Sequence, residues 1–319
     1  MRIVVILAIA LSGLTAGVPS ASAEDDPFDW VWQQQTELPP LSITIPDISG
    51  RPYTVGYVDI DGYAVTEGDI VIGTPGEAAS GKIRLPGVFP QVMDEVTDTV
   101  PPPPGRVAAP FGEAPARSRG CRVGDAGTAT TQAGALWPER TVPFVLSPQL
   151  PAAARTAVEE AMKDFHIQTC VHFVPRTTEE SYLNIVQGHG CYSYVGRVGG
   201  AGQELSIGPG CEHKGIAIHE LMHALGFYHE HSRSDRDGAV TVHLENVIPG
   251  YESQFRKLDL PRNRLFGTLD YDSVMLYGRK FFSSNGQDTL VPALPVEIGQ
   301  RKGFSKVDLA AVRGLYGCP

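Results

Sequence analysis

Residues 219–229 read HELMHALGFYH, and the spacing of their polar side chains predicts both a helix and a metal site. His219 and His223 are four positions apart, so a helix projects both imidazoles from one face. Glu220 lies between them, near enough to touch a metal-bound water without being a ligand, which is the geometry of a general base. The five-residue pattern also occurs by chance, so the residues that follow it carry weight.

The residues after the predicted helix extend the pattern. Gly226 permits the positive φ that ends a helix, and the chain can then return His229 to the same ion. A catalytic zinc has three protein ligands and one position open for water, whereas a structural zinc is closed by a fourth ligand. One Zn²⁺ per chain, held by His219, His223 and His229, is therefore predicted. The other six histidines have no such spacing and are interpreted as surface or packing residues: His166, His172, His189, His213, His231 and His243.

Residues 1–23 have the three-part pattern of a secretory signal peptide. Arg2 precedes an apolar run over residues 3–11, and small residues follow as far as Ala23. The apolar run is shorter than the roughly 20 residues that a spanning helix needs. We therefore predict a secreted, extracellular protein with no membrane span.

The chain of 319 residues has a net charge of −10, and its acidity is uneven. Residues 24–120 carry 15 Asp and Glu against 6 Lys and Arg, whereas residues 121–319 carry 21 against 19. Because no basic cluster is present, neither nucleic acid nor an anionic membrane is expected as a partner. Six prolines between positions 101 and 120 indicate an extended linker.

Secondary-structure patterns differ on the two sides of this linker. Short alternating runs such as Tyr53–Asp59 predict a few weak strands before it. After it, Trp137-Pro138 and residues 142–146 are predicted as an entering strand, further strands are predicted at 171–173 and 182–186, and a helix is predicted after Pro151. Apolar residues recur at helical spacing in that helix: Val158, Ala161, Met162 and Phe165. This mixture indicates an α+β fold, or an α/β fold with a modest sheet.

HELMHALGFYHEHSRSDRD at 219–237, followed by SVMLYG at 273–278, resembles the astacin family of zinc endopeptidases within the metzincins. The resemblance covers essentially all of residues 137–318. It implies an α+β, two-lobed catalytic domain with a twisted mixed sheet and an active-site helix, preceded by a pro-segment. Three further stretches carry it: GCYSYVGRVGG at 190–200, ENVIPGYESQF at 245–255 and IGQRKGFSKVDLAAVRGLYGC at 298–318.

The resemblance also implies the activity and the segments of the chain. It implies a secreted endopeptidase that is made as an inactive zymogen and acts on polypeptide substrates. Substrate is expected to lie extended along an edge strand near residues 191–194. The expected segments are a signal peptide at 1–23, an acidic pro-segment at 24–100, a Pro-rich linker with the activation site at 101–127 and the catalytic domain at 128–319.

Further site residues come from the same resemblance. Met275 is expected in the turn beneath the zinc. Tyr277 is expected to be a fifth ligand that swings away and stabilises the oxyanion together with the metal. Glu230 is expected in a buried contact with the trimmed N-terminus of the mature enzyme. Leu276 departs from the family, which usually has His at this position. Because the position is not a metal ligand, we expect this change to tune the activity of the enzyme and not to abolish it.

Five cysteines in a secreted chain are first interpreted as disulfide partners, with at least one left over. Four cysteines allow three pairings, among which residue patterns alone do not choose. The resemblance implies Cys170–Cys318 and Cys191–Cys211. Cys121 is then unpaired.

Two residues are candidates for the zinc ligand that keeps a zymogen inactive. The motif at 66–69, TEGD, resembles the astacin propeptide motif in which an Asp binds zinc, although Thr66 replaces the usual Phe. Asp69 is therefore the preferred latch. Cys121 is the alternative, because thiolate binds zinc well and SRGCRVGD is similar to the cysteine switch of other metzincins. An activating protease or self-cleavage is expected to cut between about Arg117 and Thr131.

Other interpretations remain open. One is a non-catalytic, zinc-stabilised secreted binding protein, against which Glu220 and Tyr277 argue, since binding alone needs neither. In another, residues 24–100 form a permanent binding module. Arg279 and Lys280 either line the pocket after the scissile bond or are exposed surface residues. The sequence indicates neither the natural substrate nor the oligomeric state.

Overall fold

A computed structural model describes residues 38–47, 50–85, 127–258 and 263–319. The predicted signal peptide, Cys121 and nearly all of the linker lie outside these residues. Below, the N-terminal segment means residues 38–47 and 50–85, and the C-terminal region means residues 127–258 and 263–319. Within these ranges, no helix combines the length and apolar character needed to cross a bilayer.

The described residues form thirteen strands and four α-helices. The strands are β1 Leu41–Pro46, β2 Pro52–Ile60, β3 Tyr63–Thr66, β4 Ile70–Gly73, β5 Gly127–Thr130, β6 Thr141–Leu146, β7 His172–Pro175, β8 Tyr182–Val186, β9 Cys191–Tyr194, β10 Gly202–Ile207, β11 Val240–Val242, β12 Asn263–Phe266 and β13 Leu290–Pro292. The α-helices are α1 Pro75–Ala79, α2 Ala152–Gln168, α3 Lys214–Ala224 and α4 Lys306–Tyr316. Short 3₁₀ helices lie at Ala133–Ala135, Pro138–Arg140, Glu230–Ser232, Arg236–Gly238, Leu244–Asn246 and Glu252–Phe255.

Nine of the described strands form one mixed sheet in the order β1-β2-β3-β4-β9-β10-β8-β6-β7. The C-terminal region supplies five of them, with β8 parallel to both β6 and β10, and β9 antiparallel to β10. The N-terminal segment supplies an antiparallel meander, β1 to β4, whose last strand pairs with β9 in parallel. Helices and a mixed sheet in two lobes give the predicted α+β class.

The predicted elements of the C-terminal region are confirmed except at Trp137-Pro138, where a 3₁₀ helix over Pro138–Arg140 precedes the strand, which begins at Thr141. The strands predicted at 142–146 and 182–186 are β6 and β8, and Pro151 caps the N-terminus of α2. The apolar face of α2 is buried, including Val158 and Phe165. Two disulfides have the pairing that the resemblance implied: Cys170–Cys318 and Cys191–Cys211.

The N-terminal segment is more strongly packed than its short alternating runs indicate. The predicted run Tyr53–Asp59 lies within β2, and every residue of β4 is buried. Apolar side chains of β2 and β4 share a core with Val195, Tyr228 and Leu258 of the C-terminal region. Isolated hairpins are marginal in water, whereas strands added to an existing sheet gain both hydrogen bonds and a covered face.

Helix α3 is buried on all sides from Gly215 to Ala224. The apolar residues Ile218, Leu221 and Leu225 by themselves indicate only one buried face. A helix surrounded by protein has no polar stripe, and burying a polar side chain on it costs free energy unless that side chain has a specific partner. Helix α2 packs against it, and Lys214 at its start pairs with Asp164 of α2 at 2.9 Å.

Candidate metal centre

Helix α3 brings His219 and His223 together as their spacing predicts. Both side chains are fully buried, and their Nε2 atoms lie 3.2 Å apart. The chain leaves the helix through Gly226, which has a φ of +107°, a region that glycine enters without steric cost. The turn returns His229, whose Nε2 lies 3.3 Å from that of His219. The three predicted ligands therefore converge.

The outer nitrogen of each imidazole faces an acceptor. With its proton on Nδ1, each ring turns the lone pair of Nε2 toward the common centre. Three converging lone pairs repel one another unless a cation lies between them. The acceptors are the Val274 carbonyl for His219 at 2.7 Å, the Phe227 carbonyl for His223 at 2.8 Å and Glu67 Oε2 for His229 at 2.9 Å.

Asp69 of the N-terminal segment supplies a fourth donor. Its Oδ2 lies 3.0 Å from His219 Nε2 and 3.2 Å from His229 Nε2, and its Oδ1 lies 3.4 Å from His223 Nε2. Burial opposes ionisation of this carboxyl, but the imidazoles of His229 and His223 outweigh it and hold the pKa of Asp69 well below its usual value.

These four residues fit zinc. Tetrahedral zinc, with ligand distances of about 2.0–2.1 Å, places its ligand atoms about 3.3 Å from one another. The measured separations agree, and the four residues form a single buried group able to hold one metal ion. The donors, nitrogen with one carboxylate oxygen, are also typical of zinc.

Glu220 lies beside this centre on α3 and is fully buried. Neither of its carboxylate oxygens has a hydrogen-bond partner among the described residues. Burial and the charge of Asp69 raise the pKa of Glu220 well above its usual value, and the charge of Arg301 opposes this shift.

The segment after β12 contacts the metal-binding histidines through the Val274 carbonyl, next to Met275, which was expected in this turn. Met275 is buried, and its carbonyl accepts a hydrogen bond from the Glu230 amide at 2.9 Å. Leu276 is also buried, and its carbonyl accepts from Arg301 Nη1 at 2.9 Å. The turn is thus tied to the residues that surround the metal centre.

Tyr277 lies against the third histidine, with 4.7 Å between ring centroids. Its hydroxyl donates to the Glu67 carbonyl at 2.6 Å. The His231 ring packs 3.7 Å from the Tyr277 ring, and His231 Nε2 lies 2.9 Å from the Gln254 carbonyl. His231 is therefore a packing residue, but one that supports a residue of the candidate site.

Sequence reasoning missed Glu67 and Gln254. Glu67 contacts both His229 and Tyr277, and the Gln254 side chain accepts a hydrogen bond from the Glu67 amide. Glu67 stands two positions before Asp69, and residues two apart around a hairpin tip can face the same side. That spacing was the signal available for Glu67, whereas Gln254 had none.

The strand edge predicted to hold substrate is covered in this chain. Strand β4 pairs with β9 through Ile70–Ser193 and Val71–Tyr194, in parallel. The Ser193 amide donates to the Asp69 carbonyl at 2.8 Å. Asp69, which reaches the metal centre, therefore directly precedes the strand that covers this edge.

Glu230 is buried beside the start of the described C-terminal region. It pairs with Arg233 Nη1 at 3.3 Å and accepts from the Asp270 amide at 3.1 Å, and burial raises its pKa to about 8. Arg233 Nη1 also donates to the Gly127 carbonyl at 2.8 Å. The contact with a trimmed N-terminus stays a prediction.

Of the two basic residues after the turn, Arg279 is half-buried. It pairs with Asp288 at 3.2 Å and donates to the Val296 carbonyl at 2.8 Å. These contacts hold its guanidinium within its own loop.

Residues 129–317 match the family model for astacin, which describes a family of peptidases. The chain is 45% identical over 187 residues to zinc metalloproteinase nas-15 of Caenorhabditis elegans, covering 58% of this chain and 33% of that protein. It is 41% identical over 198 residues to bone morphogenetic protein 1 of Xenopus laevis, covering 60% of this chain and 28% of that protein. The chain thus spans about a third of the length of these curated relatives.

A solved structure is similar over the same region. The high choriolytic enzyme 1 of Oryzias latipes, a hatching enzyme zinc-protease, is 39% identical and superimposes with a TM-score of 0.52. The match covers 62% of this chain and 96% of that one. Because the family model covers more than half of the chain and its metal-binding histidines converge as described, the chain belongs to the astacin family of zinc peptidases.

Proposed function

We propose that this protein is a secreted zinc-dependent endopeptidase that cleaves extracellular polypeptides and is made as an inactive zymogen. The observation that carries the proposal is the convergence of His219, His223 and His229 beside Glu220, with a removable fourth donor from the N-terminal segment. The two disulfides of the C-terminal region fit an oxidising compartment, in line with a signal peptide at residues 1–23.

The bound zinc supplies Lewis acidity, which activates water and polarises a peptide carbonyl. Glu220 takes the proton from the attacking water and passes it to the leaving amine. Its burial and its lack of a partner among the described residues support this role, because no other group competes for its carboxylate. The Tyr277 hydroxyl donates a hydrogen bond to the oxyanion once the N-terminal segment has left.

Asp69 is the proposed latch. As the fourth donor it occupies the position that catalysis leaves open, and β4 covers the strand edge on which substrate would lie. The hydroxyl of Tyr277 is occupied by the Glu67 carbonyl in the same state. Cys121, the alternative latch, lies outside the described residues, and the contacts of Asp69 with the three histidines favour Asp69.

Maturation then removes residues 24–100, together with linker residues, by a cut between about Arg117 and Thr131. The cut is made by an activating protease or by the enzyme itself. A new N-terminus in this range falls close to Gly127, whose carbonyl already lies against Arg233, the partner of Glu230. We propose that the new terminus joins this buried pair.

Casein digestion by the processed protein tests the proposal. We expect digestion that a zinc chelator abolishes and that added zinc restores. Glu220→Ala is expected to bind zinc but to lose turnover, whereas Glu160→Ala, an exposed residue on α2, serves as the matched control. Turnover by Glu220→Ala would contradict the mechanism. A zinc-loaded, processed protein that cleaves neither casein nor a peptide library would instead be a binding protein.

A further inference from the structure

The tip of the β3–β4 hairpin places the carboxylate of Asp69 at the metal centre and that of Glu67 against the outer nitrogen of His229. Glu67 and Gly68 have φ values of +46° and +73°, so the chain reverses sharply between the two strands. A positive φ is unfavourable for Glu, and such strain persists only where surrounding contacts impose it. Glu67 and Asp69 are both buried.

The C-terminal region supplies the contacts that hold this tip. The Gln254 side chain accepts from the Glu67 amide and donates to the Gly56 carbonyl at 3.2 Å. Thr66 donates its hydroxyl to the same carbonyl at 2.7 Å. The position of Glu67 is therefore determined by docking against the 3₁₀ helix Glu252–Phe255.

The three metal-binding histidines are oriented by unequal partners. His219 and His223 donate from Nδ1 to carbonyls of the C-terminal region, which maturation does not remove. His229 instead faces a carboxylate of the N-terminal segment, Glu67 Oε2, at 2.9 Å. A carboxylate on the outer nitrogen of a zinc-bound histidine fixes the ring and increases its basicity.

We propose that Glu67 is a positioning residue of the metal centre that acts only in the precursor. Its carboxylate holds His229 in the ligand tautomer and tightens zinc retention, and its departure with the N-terminal segment leaves a mature enzyme that releases zinc more readily. The precursor thus carries two carboxylates in different positions, Asp69 at the metal and Glu67 behind His229. This rests on the proposed function in taking residues 24–100 as the segment removed on maturation.

Zinc release from the uncleaved precursor tests the proposal. Zinc-loaded wild type and Glu67→Gln are mixed with the chromophoric chelator 4-(2-pyridylazo)resorcinol, and the transfer rate is measured. Loss of such an outer carboxylate weakens metal binding by about 10- to 100-fold, so we expect release to accelerate by about that factor. Glu67→Ala is expected to release zinc at least as fast.

A matched control and a spectroscopic readout separate this role from general destabilisation. Glu77→Gln removes the same charge from the same segment, but Glu77 contacts Thr74 and Arg84 instead of a histidine, so its zinc release should be unchanged. With Co²⁺ in place of zinc, Glu67→Gln should shift the visible absorption bands and Glu77→Gln should not.

Cleavage of the precursors provides an internal check, because wild type and Glu67→Gln give the same mature sequence and should have equal activity. Release by Glu67→Gln within about twofold of wild type, with an unchanged Co²⁺ spectrum, would overturn the proposal. If Glu67→Ala does not fold, Glu67→Gln decides, since it preserves the side-chain volume. If the mature protein digests no casein, the proposed function fails, but the release rates still decide the role of Glu67.

Discussion

At the residue scale, the properties of the metal centre follow from which nitrogen of each imidazole faces a partner. His219 and His223 find their acceptors within the C-terminal region, and His229 finds its acceptor in the N-terminal segment. Asp69 completes the set from the same segment. One short hairpin tip therefore places a carboxylate at the fourth ligand position and another carboxylate against the third histidine.

Replacing Asp69 tests the latch directly. Asp69→Ala leaves three histidines and a position open to water, so the uncleaved precursor should hydrolyse a small fluorogenic peptide about tenfold faster or more, about 1.4 kcal/mol of barrier. Activity should stay below that of the mature enzyme, because β4 still covers β9.

Cys121→Ser is the control for this measurement, and mass spectrometry verifies that each precursor is uncleaved. We expect the Cys121→Ser precursor to remain as silent as wild type. If the Cys121→Ser precursor hydrolyses the peptide and the Asp69→Ala precursor does not, Cys121 and not Asp69 is the inhibiting ligand.

At the element scale, helix α3 carries two ligands and Glu220, and its position depends on close packing at its first turn. A Cβ at Gly215 would lie 1.7 Å from the Arg301 carbonyl oxygen. Arg301 in turn donates to the Leu276 carbonyl in the turn beneath the metal. The start of the helix and the turn are thus coupled through one residue.

Gly215→Ala should therefore destabilise the precursor by about 1–3 kcal/mol or more, the usual cost of overpacking, because the Arg301 backbone must shift. Gly134→Ala is the matched control, since nothing lies within 4 Å of its Cβ position. Urea unfolding measures both variants. Equal stability of Gly215→Ala and Gly134→Ala would contradict the packing argument.

The β2–β3 turn makes a second contact between the N-terminal segment and the C-terminal region. Asp61 in this turn accepts hydrogen bonds from the His189 amide at 2.7 Å and the Tyr192 hydroxyl at 3.2 Å, and its carboxylate contacts the His189 ring. The hydrogen bond to Asp61 raises the pKa of His189. Burial opposes ionisation of Asp61, but His189 outweighs it and lowers the pKa of Asp61.

These shifts predict a pH window for retention of the segment. The contribution of His189 to binding of the N-terminal segment is fully present below about pH 6.5, the unperturbed pKa of His. It is lost as the pH rises through the raised pKa of His189. The contribution of Asp61 is lost as pH falls through its lowered value. Tyr192, whose pKa burial raises, stays neutral throughout.

After cleavage of the linker, the segment should therefore remain bound longer at pH 5.5 than at pH 8.5, as measured by size-exclusion chromatography. His189→Gln should reduce this difference. His243→Gln should not, because His243 pairs with Glu245 within the C-terminal region. If His189→Gln retains the segment with the same pH dependence as wild type, the Asp61–His189 pair is not the cause of that dependence.

At the scale of the whole molecule, two disulfides close loops of very different length. Cys170–Cys318 spans 148 residues and joins the end of α2 to the residues after α4, and Cys191–Cys211 spans 20 residues. In the chain-entropy account, the stabilisation grows with the length of the closed loop.

Replacing both cysteines of a pair by Ser should cost about 5 kcal/mol for the long loop and about 3 kcal/mol for the short one. Urea unfolding of the precursor measures both. A Cys121→Ser background prevents exchange with the fifth cysteine. A larger loss from the short loop would show that local packing, and not loop entropy, sets the contribution.

Features that depend on local geometry or on matching motifs were predictable from the sequence alone. The helical repeat places His219 and His223 on one face, and Gly226 permits the turn that returns His229. Strands β6 and β8 and helix α2 followed from periodicity, while the disulfide pairing and the place of Met275 followed from the family resemblance. All of these predictions rest on short-range repeats in the sequence or on long stretches of residues that match the family.

The tertiary structure was needed to identify Glu67 and Gln254 as residues that support the centre, whereas Asp69 was already predicted from the resemblance. Glu67 reaches His229 across 162 positions of the chain, and β4 pairs with β9 in a sheet that joins the N-terminal segment to the C-terminal region. The full burial of α3 and the support of Tyr277 by His231 likewise depend on packing. No periodicity encodes such contacts, because they arise from shared apolar surfaces and strand edges that meet only when the chain has folded.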